Sequence, residues 1–145
     1  MKKEMFLNEK EKGWTLIELM IVIIVVAIIL VVVVSTYGNA INRSREAATK
    51  DSLGALRSAL TAFYADREGV WPENIHDPRY DPPFCGRYID AVPVVQLKRG
   101  LPETNAVRYD DVVDSRGGWL YNSDSGRVVI NHSATDTKGI YYSSY

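Results

Sequence analysis

Glu18 is the residue whose position carries the strongest chemical implication in this chain. It is a single carboxylate beside the uncharged, apolar run 19–34. An ionisable group at the edge of a membrane-spanning segment is costly and by default functional. The fourteen Leu, Ile and Val residues of the run contribute roughly −4 to −8 kcal/mol to insertion, against about +3 kcal/mol for a central acidic residue. The segment therefore inserts in spite of Glu18, and this carboxylate must find a cation or stay protonated.

The other residues that could do chemistry form no catalytic or zinc pattern. His76 and His132 lack metal-ligand spacing with each other and with Cys85. No Gly-x-Ser-x-Gly elbow and no Gly-rich phosphate loop is present. Cys85 is the single cysteine, so a partly buried loop position is favoured over an intermolecular bridge or a reactive thiol. We therefore predict that the chain is not an enzyme and binds no zinc.

Composition narrows the class of protein further. The 145 residues leave room for one small domain beside the apolar segment. A net charge of −1 argues against a nucleic-acid partner, because binding phosphates requires a concentrated basic face.

The apolar segment must be a helix that spans a membrane. Residues 14–34 number twenty-one, and a helix needs about 20 residues to cross the hydrocarbon core. Twelve of the sixteen residues in 19–34 are Val or Ile, which favour a strand in water. In lipid an isolated strand leaves its backbone groups unpaired, so the helix is favoured regardless of side-chain propensity.

The polar leader 1–13 differs from an ordinary secretory signal. Such a signal is cut after its apolar stretch, whereas the plausible small-residue position here, Gly13, precedes that stretch. A cut after Gly13 removes the leader and keeps the membrane helix. The long polar sequence after a single span favours an N-terminus in the cytoplasm and a C-terminal domain outside the inner membrane.

The run 12–20, Lys-Gly-Trp-Thr-Leu-Ile-Glu-Leu-Met, closely resembles the class III signal of type IV pilins and type II secretion pseudopilins. The resemblance implies that a prepilin peptidase cuts after Gly13 and methylates the new amine of Trp14. It also implies that Glu18 offers the counter-charge to this ammonium during assembly, since two groups that are each costly in lipid become tolerable when paired. The alternative is a plain anchor on which Glu18 snorkels to the interface.

Two residues depart from the family pattern. Trp14 stands where Phe is most common, a conservative aromatic change. Ser35 stands where most family members have proline, which would loosen or kink the helix. The helix is therefore expected either to stay straighter or to loosen around Ser35 and Gly38.

Beyond the apolar run, the pattern predicts that the helix continues as an amphipathic half. Apolar residues recur at helical spacing on one stripe, apart from one five-residue step: Ile41, Ala48, Leu53, Leu56, Leu60 and Phe63. Gly69 and Trp71-Pro72 predict its end at about Asp66.

The rest of the chain predicts a small antiparallel sheet. Residues 70–116 are irregular and rich in turn residues. Residues 117–122 and 127–131 flank a turn whose Gly126 can take a positive φ, which predicts a hairpin, and 140–142 predict a third strand. The fold class is therefore α+β and pilin-like, a long N-terminal helix packed on a small antiparallel β-sheet. The predicted domains are a cleaved leader (1–13), a transmembrane and assembly helix (14–38), an amphipathic periplasmic helix half (39–67) and a globular domain with a C-terminal hairpin (68–145).

Calcium is the one ion that the resemblance raises, because major secretion pseudopilins hold one near the C-terminal loops. Carboxylates for it could come from Asp110, Asp111 and Asp114, or from Asp124 and Asp136. Neither set has an EF-hand spacing, and aspartates in turns ordinarily cap backbone donors, so no cofactor is expected.

The leading hypothesis is a structural subunit of a type IV pilus-like filament, most favourably a type II secretion pseudopilin. Its implied partners are the prepilin peptidase, other copies and minor pseudopilins, the inner-membrane assembly platform and, before assembly, lipid. The single cysteine and the Gly-Gly-Trp hairpin favour the secretion class over a pilus subunit for adhesion, motility or DNA uptake. A competing hypothesis of another class is an uncleaved, signal-anchored periplasmic binding module.

Overall fold

The structure, a computed structural model, describes residues 14–77, 79 and 83–145. Its elements are helix α1 (Leu16–Asp66), strands β1 (Val107–Arg108), β2 (Trp119–Tyr121) and β3 (Val128–Ile130), and a final 3-10 helix (Tyr142–Ser144). The chain divides into two units, the first ending at Tyr37 and the second running from Gly38 to Tyr145. The leader 1–13, including Gly13, lies outside the described residues.

The first unit is the apolar half of α1. Its helical hydrogen bonding begins at Thr15, and every side chain from Trp14 to Val33 is exposed. Within the described residues, α1 is the one helix long and apolar enough to cross a membrane. The assigned helix continues through Ser35 and Gly38, so neither residue ends it.

The second unit is built on the remaining half of α1, whose buried stripe differs in part from the predicted one. Leu53, Leu56, Leu60 and Phe63 are buried as predicted. Ala48, however, is exposed, and the stripe continues towards the N-terminus through the polar residues Thr49 and Glu46. The buried positions therefore keep alternating three- and four-residue steps, which removes the irregular step from Ala48. Apolar periodicity does not reveal Thr49 and Glu46, because their burial depends on hydrogen bonds to distant residues.

Helix α1 ends where the sequence predicts. The Gly69 N–H donates to the Tyr64 carbonyl at 3.0 Å, and Glu68 and Gly69 have φ values of 55° and 91°. A glycine just past a helix takes this left-handed conformation without a Cβ penalty and satisfies a carbonyl of the last turn.

The predicted hairpin is present. Strands β2 and β3 are antiparallel, with Trp119 opposite Ile130 and Tyr121 opposite Val128. The Gly126 N–H donates to the Asn122 carbonyl at 2.9 Å, and Gly126 has a φ of 68°. The hairpin and helix half pack around one core, in which the side chains of Trp119 and Tyr121 are fully buried.

The predicted third strand at 140–142 is wrong. The third strand is β1, which pairs with β2 in parallel, so the sheet is mixed and its order is β1-β2-β3. Residues 140–142 instead contribute a single bridge from Tyr141 to Thr135 and the start of the final 3-10 helix. Gly118 explains the parallel pair, because a Cβ there would collide with the Ala106 carbonyl oxygen. The pattern of apolar residues cannot show such a backbone approach.

Candidate functional site

The segment predicted for processing and assembly begins with a capped helix start. The Glu18 N–H donates to Thr15 Oγ1 at 3.3 Å and to the Thr15 carbonyl at 3.1 Å. Thr15 is therefore the N-cap, and Glu18 occupies the third helical position, the spacing of a capping box. A carboxylate in this first turn also interacts favourably with the positive end of the helix dipole. This capping role is not among the sequence-based predictions above, although the Thr-x-x-Glu spacing signals it.

The structure places Trp14, the described residue of the predicted processing site, and the predicted assembly residue Glu18 at this helix start. Trp14 precedes the cap and is 69% exposed. Glu18 lies four residues further on, within the first turn of α1. The arrangement gives Glu18 a fixed backbone position at the polar edge of the apolar run.

In the second unit, Glu46 binds the C-terminal segment to the helix. Glu46 is 5% exposed, and its carboxylate accepts hydrogen bonds from the Thr137 N–H at 2.9 Å and the Thr137 hydroxyl at 2.6 Å. It also accepts one from the Tyr142 hydroxyl at 2.9 Å. A buried carboxylate needs such donors, because leaving it unsatisfied is strongly unfavourable.

Asp136 forms the second half of this connection. It is 3% exposed and accepts hydrogen bonds from the Tyr145 hydroxyl at 2.5 Å and from the N–H groups of Lys138 and Ile140, with Lys50 Nζ at 3.6 Å. Burial by itself raises the pKa of Asp136, but the Tyr145, backbone and Lys50 contacts outweigh it and lower that pKa to about 2. We call the contacts of Glu46 with Thr137 and Tyr142, together with those of Asp136 with Lys50 and Tyr145, the C-terminal clasp of segment 132–145.

Burial and the clasp contacts raise the pKa values of two tyrosines, and burial lowers that of the nearby histidine. Burial and the bond to Asp136 raise the pKa of Tyr145, and burial and the bond to Glu46 raise that of Tyr142. Burial lowers the pKa of His132, whose Nδ1 accepts the Ala134 N–H at 3.0 Å. The hydroxyls of Tyr142 and Tyr145 therefore stay protonated around neutral pH and can donate to the clasp carboxylates.

The aspartates weighed for calcium are dispersed among protein donors. Asp114 accepts from Asn131 at 2.6 Å and pairs with Arg108 at 2.8 Å. Asp111 accepts from the Asn122 amide, and Asp110 caps the N–H groups that follow it. Over the described ranges, no group of three or more His, Cys, Asp or Glu side chains could hold a metal ion.

Cys85 lies in the core, beside a cavity of about 200 Å³ that His76 and Asp90 also line. Its Sγ donates to the Ile75 carbonyl at 3.0 Å, and burial raises the pKa of the thiol. Reactive cysteines need a lowered pKa and access, so this environment favours an inert packing role.

A long N-terminal helix, with an apolar first half and a second half packed with a small mixed sheet, is a pilin-like α+β fold. The family described as the prokaryotic N-terminal methylation motif matches residues 9–34. This match includes both residues of the predicted processing site and Glu18.

Two curated relatives agree with this class. The chain is 32% identical over 88 residues to the fimbrial protein EcpC of Eikenella corrodens, covering 61% of this chain and 57% of that protein. It is 35% identical over 92 residues to the type IV major pilin protein PilE1 of Neisseria gonorrhoeae, covering 61% of this chain and 42% of that protein. The chain thus spans about half the length of these relatives. No solved structure matches it significantly.

The motif and the two relatives together support a type IV pilin-family protein. The family resemblance of residues 12–20 is therefore confirmed.

Proposed function

We propose that this protein is a structural, non-catalytic subunit of a type IV pilus-like filament. A prepilin peptidase cuts it after Gly13 and methylates the amine of Trp14. The apolar half of α1 holds the subunit in the inner membrane, with the leader in the cytoplasm and the second unit outside. At the assembly platform this half leaves the lipid and packs against other copies.

The observation that carries the proposal is the joint presence of the methylation motif and an uncovered apolar helix. Residues 9–34 match the motif, and the side chains from Trp14 to Val33 are exposed in the single chain. Such an apolar surface requires lipid or other helices as its surroundings. The capped start of α1 places Glu18 in the first helical turn. Assembly exchanges lipid contacts for protein contacts, so the pairing of Glu18 with the new ammonium supplies register between subunits more than affinity.

Within the filament class, we propose a type II secretion pseudopilin. The support is the hairpin that begins with Gly117 and Gly118, which resembles that of secretion-type pseudopilins. A pilus subunit is the second candidate, favoured by the two relatives, a fimbrial protein and a type IV major pilin. Deleting the gene separates the two, since loss of an exported protein supports the first and loss of surface pili supports the second.

The assembly role of Glu18 is tested by Glu18→Ala. We expect normal membrane insertion and at least tenfold less protein in the sheared filament fraction, because the subunit loses the counter-charge that sets register. Asp51→Ala is the matched control, since Asp51 is an exposed acid further along the same helix. A normal filament yield from Glu18→Ala would contradict the proposed assembly role.

Processing is tested by mass spectrometry of the membrane-bound protein. An N-methylated Trp14 as the first residue supports the filament subunit. An intact N-terminal methionine, with no polymer recovered, supports the competing signal-anchored binding module and overturns the proposal.

A further inference from the structure

Tertiary contacts gather basic side chains from three segments of the second unit. The Arg99 N–H donates to Asn42 Oδ1 at 3.1 Å, and Arg45 Nε donates to the Leu97 carbonyl at 2.7 Å. These bonds place Lys98 and Arg99 beside the start of the helix half that carries Arg43. The clasp bond from Thr137 to Glu46 brings in the neighbouring Lys138. We call Arg43, Lys98, Arg99 and Lys138 the basic cluster.

The charge of the basic cluster is available to a ligand. Among the described residues none of its four side chains forms an ion pair, and Arg43, Arg99 and Lys138 are exposed. The carboxylates close by in the fold are already engaged. Glu103 pairs with Arg45, and Asp136 pairs with Lys50. Glu46 is buried, and its oxygens are occupied by Thr137 and Tyr142.

One member of the basic cluster, Arg43, is close in sequence to the membrane segment. Arg43 follows the last residue of the apolar run, Val34, by nine residues. Nine residues of continuous helix rise by about 14 Å, so Arg43 follows the end of the apolar run within that length of helix. Anionic headgroups attract juxtamembrane Lys and Arg side chains within about a Debye length.

We propose that the basic cluster binds the headgroups of anionic phospholipids in the membrane that holds the apolar half of α1. This proposal rests on the membrane-anchored subunit proposed above. Binding would hold the second unit against the bilayer before assembly. Extraction into the filament would then break these headgroup contacts.

The test uses the full-length chain, isotopically labelled, in lipid nanodiscs that contain a gadolinium-labelled headgroup. Discs of phosphatidylcholine alone are compared with discs that contain phosphatidylglycerol. Because an anionic surface favours each nearby cation by a factor of roughly five, we expect at least threefold greater paramagnetic broadening of the Arg99 and Lys138 amides in the anionic discs. This difference should vanish at about 1 M salt, where the Debye length falls to about 3 Å.

The double variant Arg43→Gln/Arg99→Gln should lose the difference. The control is Arg87→Gln/Arg127→Gln, which removes two exposed arginines that also lack ion pairs among the described residues. This control variant should still show greater broadening in the anionic discs. Equal broadening in both kinds of disc, or equal behaviour of the two variants, overturns the proposal. The proposal is also overturned if double-stranded DNA, and not anionic lipid, changes the chemical shifts of the same amides. A chain that fails to enter the discs at all overturns the membrane anchor as well, whereas entry without headgroup contact overturns this inference alone.

Discussion

At the scale of single residues, Asp136 in the clasp shows how hydrogen-bond partners determine the burial and the pKa of a carboxylate. Asp136 lies near a glycine in a turn-rich segment, where an aspartate is ordinarily solvated. In the fold it is buried and surrounded by donors from its own turn, from Tyr145 and from Lys50. Its lowered pKa therefore makes part of the stability of the second unit depend on an ionised Asp136.

We predict that Asp136→Asn removes a pH-dependent part of the free energy of unfolding. The folded pKa of about 2 lies below the ordinary value, so this contribution is present above pH 4. It is lost as the pH falls from about 4 to about 2. At pH 7 the variant should be less stable by about 1 to 2 kcal/mol, and the difference should shrink across that acid window.

Urea unfolding at a series of pH values measures this difference. Asp124→Asn is the control, because Asp124 is exposed in the hairpin turn and should change stability by less than about 0.5 kcal/mol. A constant offset between Asp136→Asn and the parent from pH 7 to pH 2 would contradict the prediction.

Cys85 gives a second prediction at this scale. Cys85 is 8% exposed, its thiol donates to a backbone carbonyl, and burial raises the pKa of that thiol. We expect labelling by a thiol reagent at pH 8 to be at least a hundredfold slower in the folded protein than in guanidinium chloride. Rapid stoichiometric labelling of the folded chain would show that the site is open.

At the scale of elements, a glycine is required in the hairpin turn but not in the helix. Gly126 has a positive φ, and a Cβ there would collide with the indole ring of Trp71. Gly54 lies within α1 with open space around it. The same substitution should therefore have opposite effects at the two positions.

We predict that Gly126→Ala lowers the free energy of unfolding by about 2 to 4 kcal/mol, through backbone strain and the clash with Trp71. Gly54→Ala should raise it by about 0.5 to 1 kcal/mol, because alanine has the higher helix propensity. Thermal and denaturant unfolding of both variants measure the pair. A neutral Gly126→Ala would mean that the turn is built differently.

At the scale of the whole molecule, the clasp connects residues about ninety positions apart. Glu46 on α1 and Tyr142 near the C-terminus are joined through one carboxylate. Segment 132–145 contains a bridge and a short 3-10 helix, and apart from the bond from the His132 N–H to the Ile130 carbonyl its backbone-to-backbone hydrogen bonds lie within the segment itself. Its order should therefore depend on Glu46.

We predict that Glu46→Ala destabilises the second unit by about 3 kcal/mol, because three donors lose their acceptor inside the fold. Amide hydrogen exchange should accelerate first in residues 132–145, and the hairpin β2–β3 should stay protected longer. Asp51→Ala, which removes an exposed acid from the same helix, should leave both measurements unchanged within about 0.5 kcal/mol. Uniform exchange across the unit would contradict the role given to the clasp.

The features predictable from sequence are those that neighbours along the chain determine. The apolar run specifies a helix through its length, because lipid leaves the backbone no other partner. The helix end at Asp66 and the turn at Gly126 follow from local backbone preferences. The processing signal is a contiguous run of residues, so its resemblance to the pilin signal can be recognised without the fold.

Only the tertiary structure determined the features that depend on contacts between residues far apart in the chain. The parallel pairing of β1 with β2, the burial of Glu46 and Thr49 in place of Ala48, and the assembly of the basic cluster belong to this group. A polar side chain is buried only when distant donors satisfy it, and a list of residues does not reveal those donors. Periodicity therefore located the helix, whereas hydrogen bonds across the fold determined which of its faces is covered and by what.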